Sequence, residues 1–240
     1  MPEVPPARRT ETLAEVPSAR RTGNVPEASL ARLTALTEAA GGRSAALAAA
    51  VARARDGSCA VVLVEGRSDQ AAVEALAARR GRNLHAEGVY VVPMGGATNI
   101  GRFLALFGPR GYGVSLTGLC DLGQEDDFRR GLERAGFGTA PTQAALARLG
   151  FFVCVADLED ELIRSLGAAR VEQLIEAQGE LGPLRTFARQ PAHRGESRPR
   201  QLRRFMGTRS GRKIRYGHVL AAALDPARLP VPLEALLSRI

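Results

Sequence analysis

Several residue types are scarce in this chain of 240 residues. It has no tryptophan and only 5% aromatic residues, so its core must be built mainly from Leu, Val and Ala. The cysteines, Cys59, Cys120 and Cys154, stand singly in apolar runs, which excludes a disulfide framework and a CxxC metal knuckle and predicts buried thiols in a reducing cytosol. No run approaches the roughly 18 apolar residues of a membrane span, and the N-terminus lacks the apolar run of a signal peptide. We therefore expect a cytoplasmic protein without a membrane partner.

Lysine is the scarcest charged residue. Lys213 is the only lysine among 33 basic residues, so all the others are arginines. Codon bias in a GC-rich genome explains such a composition, and chance retention is one interpretation of Lys213. The other is that this position needs a compact, mobile ammonium group rather than a planar guanidinium. The net charge of +8 and the pI of about 10.5 favour polyanionic partners.

The first 57 residues differ in composition from the rest. Residues 1–27 contain an imperfect duplication, EVPPARRT at 3–10 and EVPSARRT at 15–22, and have almost no large apolar side chains. Such a Pro-rich and Arg-rich segment buries too little surface to fold, so we predict a disordered tail. An Ala-rich segment over 28–57 is predicted to be helical.

Residues 58–167 alternate between apolar runs and helical patterns. The runs CAVVLVEG at 59–66, GVYVVPMGG at 88–96, YGVSLTGLCD at 112–121 and the start of 149–167 read as buried strands. Helices of about 10–15 residues between them are typical of crossover connections. The pattern predicts an α/β fold with a four-stranded, mostly parallel sheet flanked by helices. Residues 168–240 are predicted to form a helical, basic C-terminal extension.

Acidic side chains follow three of the four predicted strands. Glu65 follows the first, Asp121 ends the third, Asp157 and Glu159 follow the fourth, and Asp69 lies one helical turn beyond Glu65. A single acid at such a place is usually a helix cap. Several acids meeting at the carboxyl edge of a parallel sheet repel one another unless a hard cation such as Mg²⁺ or Mn²⁺ lies between them.

An ordered set of motifs resembles a known family. VVLVEGRSD at 61–69, PMGG at 93–96 and a strand ending in LCD at 121 resemble the Toprim domain of topoisomerases, primases and nucleases. With ADLEDEL at 156–162 and GRKIRYGHVLAAAL at 211–224, the pattern is most similar to the nuclease domain of OLD-family endonucleases. The resemblance covers residues 58–240.

The resemblance implies a fold, a reaction and a set of site residues. The expected core is a Rossmann-like Toprim domain over 58–167, and the expected reaction is phosphodiester hydrolysis, with DNA favoured, assisted by one or two Mg²⁺ or Mn²⁺ ions. Glu65 and Lys213 would be catalytic, the lysine offsetting charge on the attacked phosphate. The expected metal ligands are Glu65, Asp69, Asp121, Glu125, Asp157 and Glu159. Gly66, Gly95 and Gly96 would let phosphates approach the backbone closely, although a plain turn explains the last two equally well.

Two departures from the family pattern bear on this expectation. Toprim proteins usually carry DxD after the third strand, whereas here the second acid is replaced by Gly123, and Glu125 or Asp126 would have to reach back. OLD nucleases usually carry an ATPase domain before the Toprim part, but the sequence has no GxxxxGK[ST] phosphate loop. We therefore expect a stand-alone Toprim protein and consider a separate ATPase as a partner.

A basic segment lies near the predicted catalytic lysine. Between Arg189 and Arg215, ten of 27 residues are basic and only Glu196 is acidic. The favoured interpretation is binding to phosphate backbones, and the alternative is a solvated face. The predicted nucleic-acid contacts are Arg200, Arg203, Arg204, Arg209, Arg212 and Arg215.

Two other functions remain open. One is a catalytically degenerate Toprim module, suggested by Gly123, that binds nucleic acid or a partner protein without cutting. The other is a small Toprim nuclease that processes RNA. No oligomeric state is predicted.

Overall fold

The structure is a computed structural model that describes residue 31, residues 45–57 and residues 59–240. The predicted tail over 1–27 lies outside these residues, as does most of the first part of the 28–57 segment. Residues 45–54 of that segment are helical.

A four-stranded parallel sheet forms the centre of the molecule. Its strands are β1 (Ala60–Val64), β2 (Val89–Pro93), β3 (Ser115–Asp121) and β4 (Phe151–Cys154), in the order β2-β1-β3-β4. The strands form where the sequence carries short, bulky apolar runs, which suit a sheet covered on both faces. The predicted α/β fold with a parallel sheet is confirmed.

Helices connect the strands and continue beyond β4. Short 3₁₀ turns precede the helices that follow β2 and β3, at Ala97–Asn99 and Leu122–Gln124. In chain order the helices of the described part are α1 (Ala45–Ala54), α2 (Arg67–Arg79), α3 (Ile100–Phe107), α4 (Glu125–Ala135), α5 (Gln143–Arg148), α6 (Leu158–Leu166), α7 (Ala168–Ala177), α8 (Leu181–Arg189), α9 (Arg198–Gly207), α10 (Ser210–Ala223) and α11 (Val231–Arg239).

The sheet separates two helical layers. Val61 and Leu63 of β1 point into a core shared with α1, α3, α4 and α5. Val62 and Val64, on the other face, pack in a second core with α2, α6, α10 and α11. This alternation follows from the two-residue period of a strand. Because the helices beyond residue 167 fill this second core, the C-terminal part is built into the same body as the strands.

Helix α10 packs directly on α2. Gly217 faces the first turn of α2, and a Cβ at this position would lie 2.5 Å from the carbonyl oxygen of Ser68. The absence of a side chain therefore allows a close approach of the two helix backbones. As a result, the C-terminal segment reaches the end of β1.

Within the described part of the chain, no helix has the length and apolar character needed to cross a membrane.

Candidate metal and phosphate site

Three predicted site residues lie where the central strands β1 and β3 end. Glu65 follows β1, and its carbonyl oxygen accepts a hydrogen bond of 3.1 Å from the Gly96 amide. Asp69 lies in the first turn of α2, and its Oδ2 accepts a hydrogen bond of 2.7 Å from the Gly66 amide. This contact folds the start of α2 back onto the end of β1. Asp121 is the last residue of the neighbouring strand β3.

The start of α6 brings two further acids to this edge. Asp157 caps the helix, because its Oδ1 accepts a hydrogen bond of 2.8 Å from the Asp160 amide. Glu159 has a side chain that is only 4% exposed, and its Oε2 lies 3.3 Å from Nζ of Lys213 on α10. Its Oε1 is buried and makes no hydrogen bond within the described part of the chain. The predicted catalytic lysine and a predicted metal ligand are therefore in contact.

The pKa values show that these acids act on one another. Burial, followed by the charges of Asp69, Glu65 and the two acids at the start of α6, its N-cap Asp157 and Glu159, raises the pKa of Asp121 to about 8. Burial and the charge of Glu159 raise the pKa of Asp69 to about 7, against the opposing effects of the Gly66 amide and Lys213. Asp69 and Asp121 thus both have pKa values close to neutral pH at the same edge of the sheet. This indicates that the acids there carry more negative charge than the ammonium group of Lys213 balances.

Glu159 and Lys213 shift each other's pKa values, and burial acts on both groups. Burial raises the pKa of Glu159, and Lys213 opposes this effect. Burial lowers the pKa of Lys213, but the charges of Glu159 and Asp69 outweigh it, so the pKa of the lysine lies above its ordinary value. Lys213 therefore stays an ammonium ion at physiological pH.

Two predicted metal ligands are held by other partners. Glu125 is buried, pairs with Arg129 and accepts a hydrogen bond of 2.8 Å from Nε2 of Gln143. Oδ2 of Asp157 lies 2.6 Å from Nε of Arg203. Asp157 therefore lies at the carboxyl edge of the sheet, but one of its oxygens accepts the helix-capping hydrogen bond and the other binds Arg203. Glu125 instead faces α5.

The carboxylates have the right chemistry to bind a divalent cation, but their side chains are not arranged around a metal position in this structure. Across residues 45–57 and 59–240, no three His, Cys, Asp or Glu side chains are already placed to hold a metal ion. The converging donors are nevertheless all carboxylate oxygens, the ligands that Mg²⁺ and Mn²⁺ prefer. The unpartnered Oε1 of Glu159 and the raised pKa values of Asp69 and Asp121 are features that a bound cation would relieve. The donor set that fits best is Glu65, Asp69, Asp121 and Glu159.

The turn after β2 lies at the same edge. Gly95 and Gly96 have positive φ values of 70° and 120°, which glycine adopts without strain. Nδ2 of Asn99 donates hydrogen bonds to the carbonyl oxygens of Met94 and Gly95, at 3.0 and 3.3 Å, and so fixes the turn. Gly66, by contrast, has an extended conformation with φ of −143°.

The structure brings five of the six predicted arginines to the surface. Their partners are acids: Arg200 and Arg204 pair with Glu196, Arg203 with Asp157, and Arg215 with Glu180, while Arg209 is exposed just before α10. Arg212 is different, because it is only 8% exposed. Its guanidinium group binds Glu180 and lies 4.1 Å over the Phe205 ring.

Sequence reasoning missed two features that position α10. Gly217 was not singled out, although a glycine inside a helical pattern often marks a close packing contact. Glu180 was also missed. Its carboxylate accepts hydrogen bonds from Arg212 and from the hydroxyl group of Tyr216, at 3.0 and 2.9 Å. The only signal was that Glu180 is the sole acid between Glu176 and Glu196.

Comparison with known proteins identifies the fold. Residues 58–122 match the family model described as "Overcoming lysogenization defect protein-like, TOPRIM domain". The C-terminal region of the Xanthomonas campestris pv. campestris OLD protein is similar with a TM-score of 0.60 and 23% identity, covering 76% of this chain and 92% of that one. The C-terminal region of the Burkholderia pseudomallei OLD protein is similar with a TM-score of 0.58 and 21% identity, covering 75% and 95%. No curated protein matches the sequence. The resemblance predicted from the motifs is confirmed, and the solved structures establish the fold.

Proposed function

We propose that this chain, which carries an OLD-like Toprim domain of nuclease-type fold at residues 58–122, is a divalent-metal-dependent nuclease with DNA as its favoured substrate. One observation carries the proposal. An ammonium group, Nζ of Lys213, lies 3.3 Å from Oε2 of Glu159, at the sheet edge where Asp69 and Asp121 have raised pKa values. Excess carboxylate charge beside a fixed cation is an arrangement suited to a metal ion and a phosphate.

The residues proposed to hold metal are Glu65, Asp69, Asp121 and Glu159, with one or two ions of Mg²⁺ or Mn²⁺. When bound, such an ion lowers the pKa of a water molecule and polarises the phosphate. Asp157 would support the site through its contacts with the α6 amide and Arg203. Glu125 would join only if it left Arg129 and Gln143.

Lys213 is proposed to bind a non-bridging oxygen of the scissile phosphate. Its side chain is 44% exposed, so the ammonium group reaches solvent while it contacts Glu159. As negative charge builds up on the phosphate in the transition state, a cation already in place stabilises it without reorganisation. The glycines of the turn after β2 and Gly66 would let the nucleic-acid backbone come close to this edge.

A cleavage assay tests the proposal. Plasmid DNA, single-stranded DNA and structured RNA would be incubated with Mg²⁺ or Mn²⁺ and the wild-type chain, Glu65→Gln, Asp121→Asn or Lys213→Met. Each substitution should lower the cleavage rate by about a hundredfold or more. Lys213→Arg should also lose at least about tenfold, because the planar fork does not replace a compact ammonium group. Glu74→Gln, an exposed acid on the same helix as Asp69, is the matched control. Cleavage that survives Glu65→Gln and Lys213→Met would refute the proposal.

A second candidate is a Toprim module that binds nucleic acid or a partner without cutting. It is favoured by Gly123, which stands where the family carries the second acid of DxD. A side chain would fit there, since no heavy atom lies within 4 Å of a Cβ at residue 123. If the wild-type chain binds but cuts nothing, while Gly123→Asp cuts with Mn²⁺, the degenerate module is the correct description.

A further inference from the structure

Large apolar side chains are exposed at three positions of the described part. Leu122 is 48% exposed, Val155 62% and Val231 81%. Val231 begins α11, whose Glu234 pairs with Arg80 just beyond the C-terminal end of α2. It therefore lies away from the acid cluster at the carboxyl edge of the sheet, which consists of Glu65, Asp69, Asp121, Asp157 and Glu159. The other two do not.

Leu122 and Val155 leave the sheet beside the candidate site. Asp121 of β3 is paired with Cys154 of β4, so Leu122 and Val155 are the next residues on two neighbouring parallel strands. Leu122 starts the 3₁₀ turn after Asp121, and the amide of Val155 donates a hydrogen bond of 2.8 Å to Oε1 of Glu161. Both backbone positions are thus fixed by local structure. We call Leu122 and Val155 the apolar ledge.

Cationic groups border the same acids. Asp157, two residues after Val155, binds Arg203, and Glu159 binds Lys213. A ligand lying across this edge would meet positive charge from α9 and α10 and aliphatic surface from the ends of β3 and β4. A nucleotide has both complementary parts, an anionic phosphate and an apolar base face.

Base pairing decides which nucleic acid can use the ledge. In a duplex both faces of a base are stacked on its neighbours, whereas an unpaired base can contact an apolar side chain. Proteins that distort duplexes likewise insert Leu or Ile between base steps. A second copy of the chain fits this surface less well, because two side chains supply only a small part of the roughly 800 Å² per partner that a stable interface buries.

We propose that the apolar ledge contacts an unpaired base next to the scissile phosphate, so that the substrate class is nucleic acid with unpaired or distorted nucleotides. This inference rests on the proposed nuclease function and specifies its substrate.

Binding and cleavage should be measured separately. The probes are two DNA duplexes of the same sequence, one fully paired and one with a three-nucleotide unpaired bulge that carries 2-aminopurine. The variants are Leu122→Ser/Val155→Ser and, as the matched control, Val231→Ser at the exposed position on α11. Binding is followed in Ca²⁺ by 2-aminopurine fluorescence and by anisotropy of an end label, and cleavage in Mg²⁺ or Mn²⁺ by gel.

We expect the wild-type chain and Val231→Ser to bind the bulged duplex about five- to tenfold more tightly than the paired one. This is the lower end of the range for stacking one base on an aromatic side chain, because Leu and Val offer a base less contact than an aromatic ring does. Leu122→Ser/Val155→Ser should lose this preference and keep its affinity for the paired duplex. Equal affinity of the wild-type chain for both duplexes, or an unchanged preference in the double variant, would overturn the inference. A change of sedimentation coefficient in the double variant with the preference intact would identify a contact between copies and also overturn it. Preferential binding without cleavage would support the base contact and contradict the nuclease proposal.

Discussion

The lone lysine of an arginine-rich chain lies where a point charge is useful. Nζ of Lys213 lies 3.3 Å from Oε2 of Glu159. As a single ammonium nitrogen, it does not present the planar set of N–H donors that a guanidinium group would present to the surrounding acids. A guanidinium group would tend to bind a carboxylate with two parallel hydrogen bonds, and so would compete with a phosphate for the same partner. At the residue scale, the contrast with Arg203, which already holds Asp157 with two nitrogen atoms, illustrates the difference.

Gly217→Ala should move the lysine away from the acids. The new Cβ would lie 2.5 Å from the carbonyl oxygen of Ser68, a backbone atom that cannot rotate away. Helix α10 must therefore shift from α2, at a cost of about 1–3 kcal/mol in the free energy of unfolding. We expect the cleavage rate at saturating DNA to fall more than the affinity. Urea unfolding and single-turnover kinetics would measure the two effects.

Gly211→Ala provides the matched control for that prediction. It changes a glycine of the same helix, but a Cβ there meets no heavy atom within 4 Å. Alanine has the higher helix propensity, so this variant should be as stable as the wild-type chain or more stable by up to about 1 kcal/mol. Equal losses for both variants would show that close packing at Gly217 is not the cause.

Asp121→Asn should stabilise the metal-free protein in a pH-dependent way. The pKa of Asp121 is about 8 in the folded protein, compared with about 3.9 in an unfolded chain, so folding favours the protonated acid. The contribution of Asp121 to the free energy of unfolding is therefore fully present below about pH 4 and is lost as the pH rises through 8. Asparagine removes this dependence. In EDTA, the variant's melting temperature should exceed that of the wild-type chain by about 3 °C at pH 9 and by clearly less at pH 5.5.

The exposed acid Asp126 provides the reference for this measurement, because Asp126→Asn removes a charge outside the cluster. Mg²⁺ at pH 9 should raise the melting temperature of the wild-type chain more than that of Asp121→Asn. If the melting temperatures of Asp121→Asn and the wild-type chain differed by the same amount at pH 9 and pH 5.5, the electrostatic explanation would be contradicted.

At the scale of elements, α10 is also held by a network around Glu180, an acid that is not among the proposed metal ligands. Glu180, at the start of α8, accepts hydrogen bonds from Arg212 and Tyr216 and pairs with Arg215. Arg212 also donates to the carbonyl oxygen of Phe205 on α9. Three helices are thereby joined next to Lys213. The network thus fixes α10 to α8 and α9, in addition to the close contact of Gly217 with α2.

The strands and the first turn of α2 were predictable because each depends on local sequence. Bulky apolar runs of the right length form β1 to β4, and the Glu65–Asp69 spacing places both acids at one strand end. The partners of Glu125 and Arg212 were not predictable in this way. Arg212 resembles its neighbours in sequence, and its burial depends on Glu180, 32 residues earlier. Glu125 is turned from Asp121 by Gln143, which lies 18 residues later in α5.

Glu180→Gln tests the network. Removing this charge leaves the guanidinium group of Arg212 buried without a counter-ion, which typically costs about 3–5 kcal/mol. Partial exposure of Glu180 reduces this to about 3 kcal/mol in the free energy of unfolding, measured in urea. Glu172→Gln is the control, because the pair between Glu172 and Arg198 is about one-third exposed on both sides and should contribute less than about 1 kcal/mol. Similar losses for both variants would mean that the network does not hold α10.

For the whole molecule, positive charge is concentrated in one segment. Residues 189–215 carry a net charge of +9, whereas the whole chain carries +8, so the remaining residues together are close to neutral. This segment contains α9 and the start of α10 and borders the acid cluster through Arg203 and Lys213. We therefore expect that a polyanion bound to the basic segment would reach the carboxyl edge of the sheet.

Arg209→Ala should make DNA binding less dependent on salt. Arg209 is exposed, and its carbonyl oxygen accepts a hydrogen bond from the Lys213 amide, so its side chain lies one helical turn from the lysine. Each phosphate neutralised on duplex DNA contributes about −0.9 to the slope of the logarithm of the association constant against the logarithm of salt concentration. Loss of one contact should therefore reduce the slope by about that amount, as measured by anisotropy between about 50 and 200 mM KCl. Arg53→Ala, an exposed arginine of α1 in the opposite layer, should leave the slope unchanged. Equal slopes for the wild-type chain and Arg209→Ala would place the DNA away from the start of α10, because a guanidinium group that binds no phosphate releases no counter-ion.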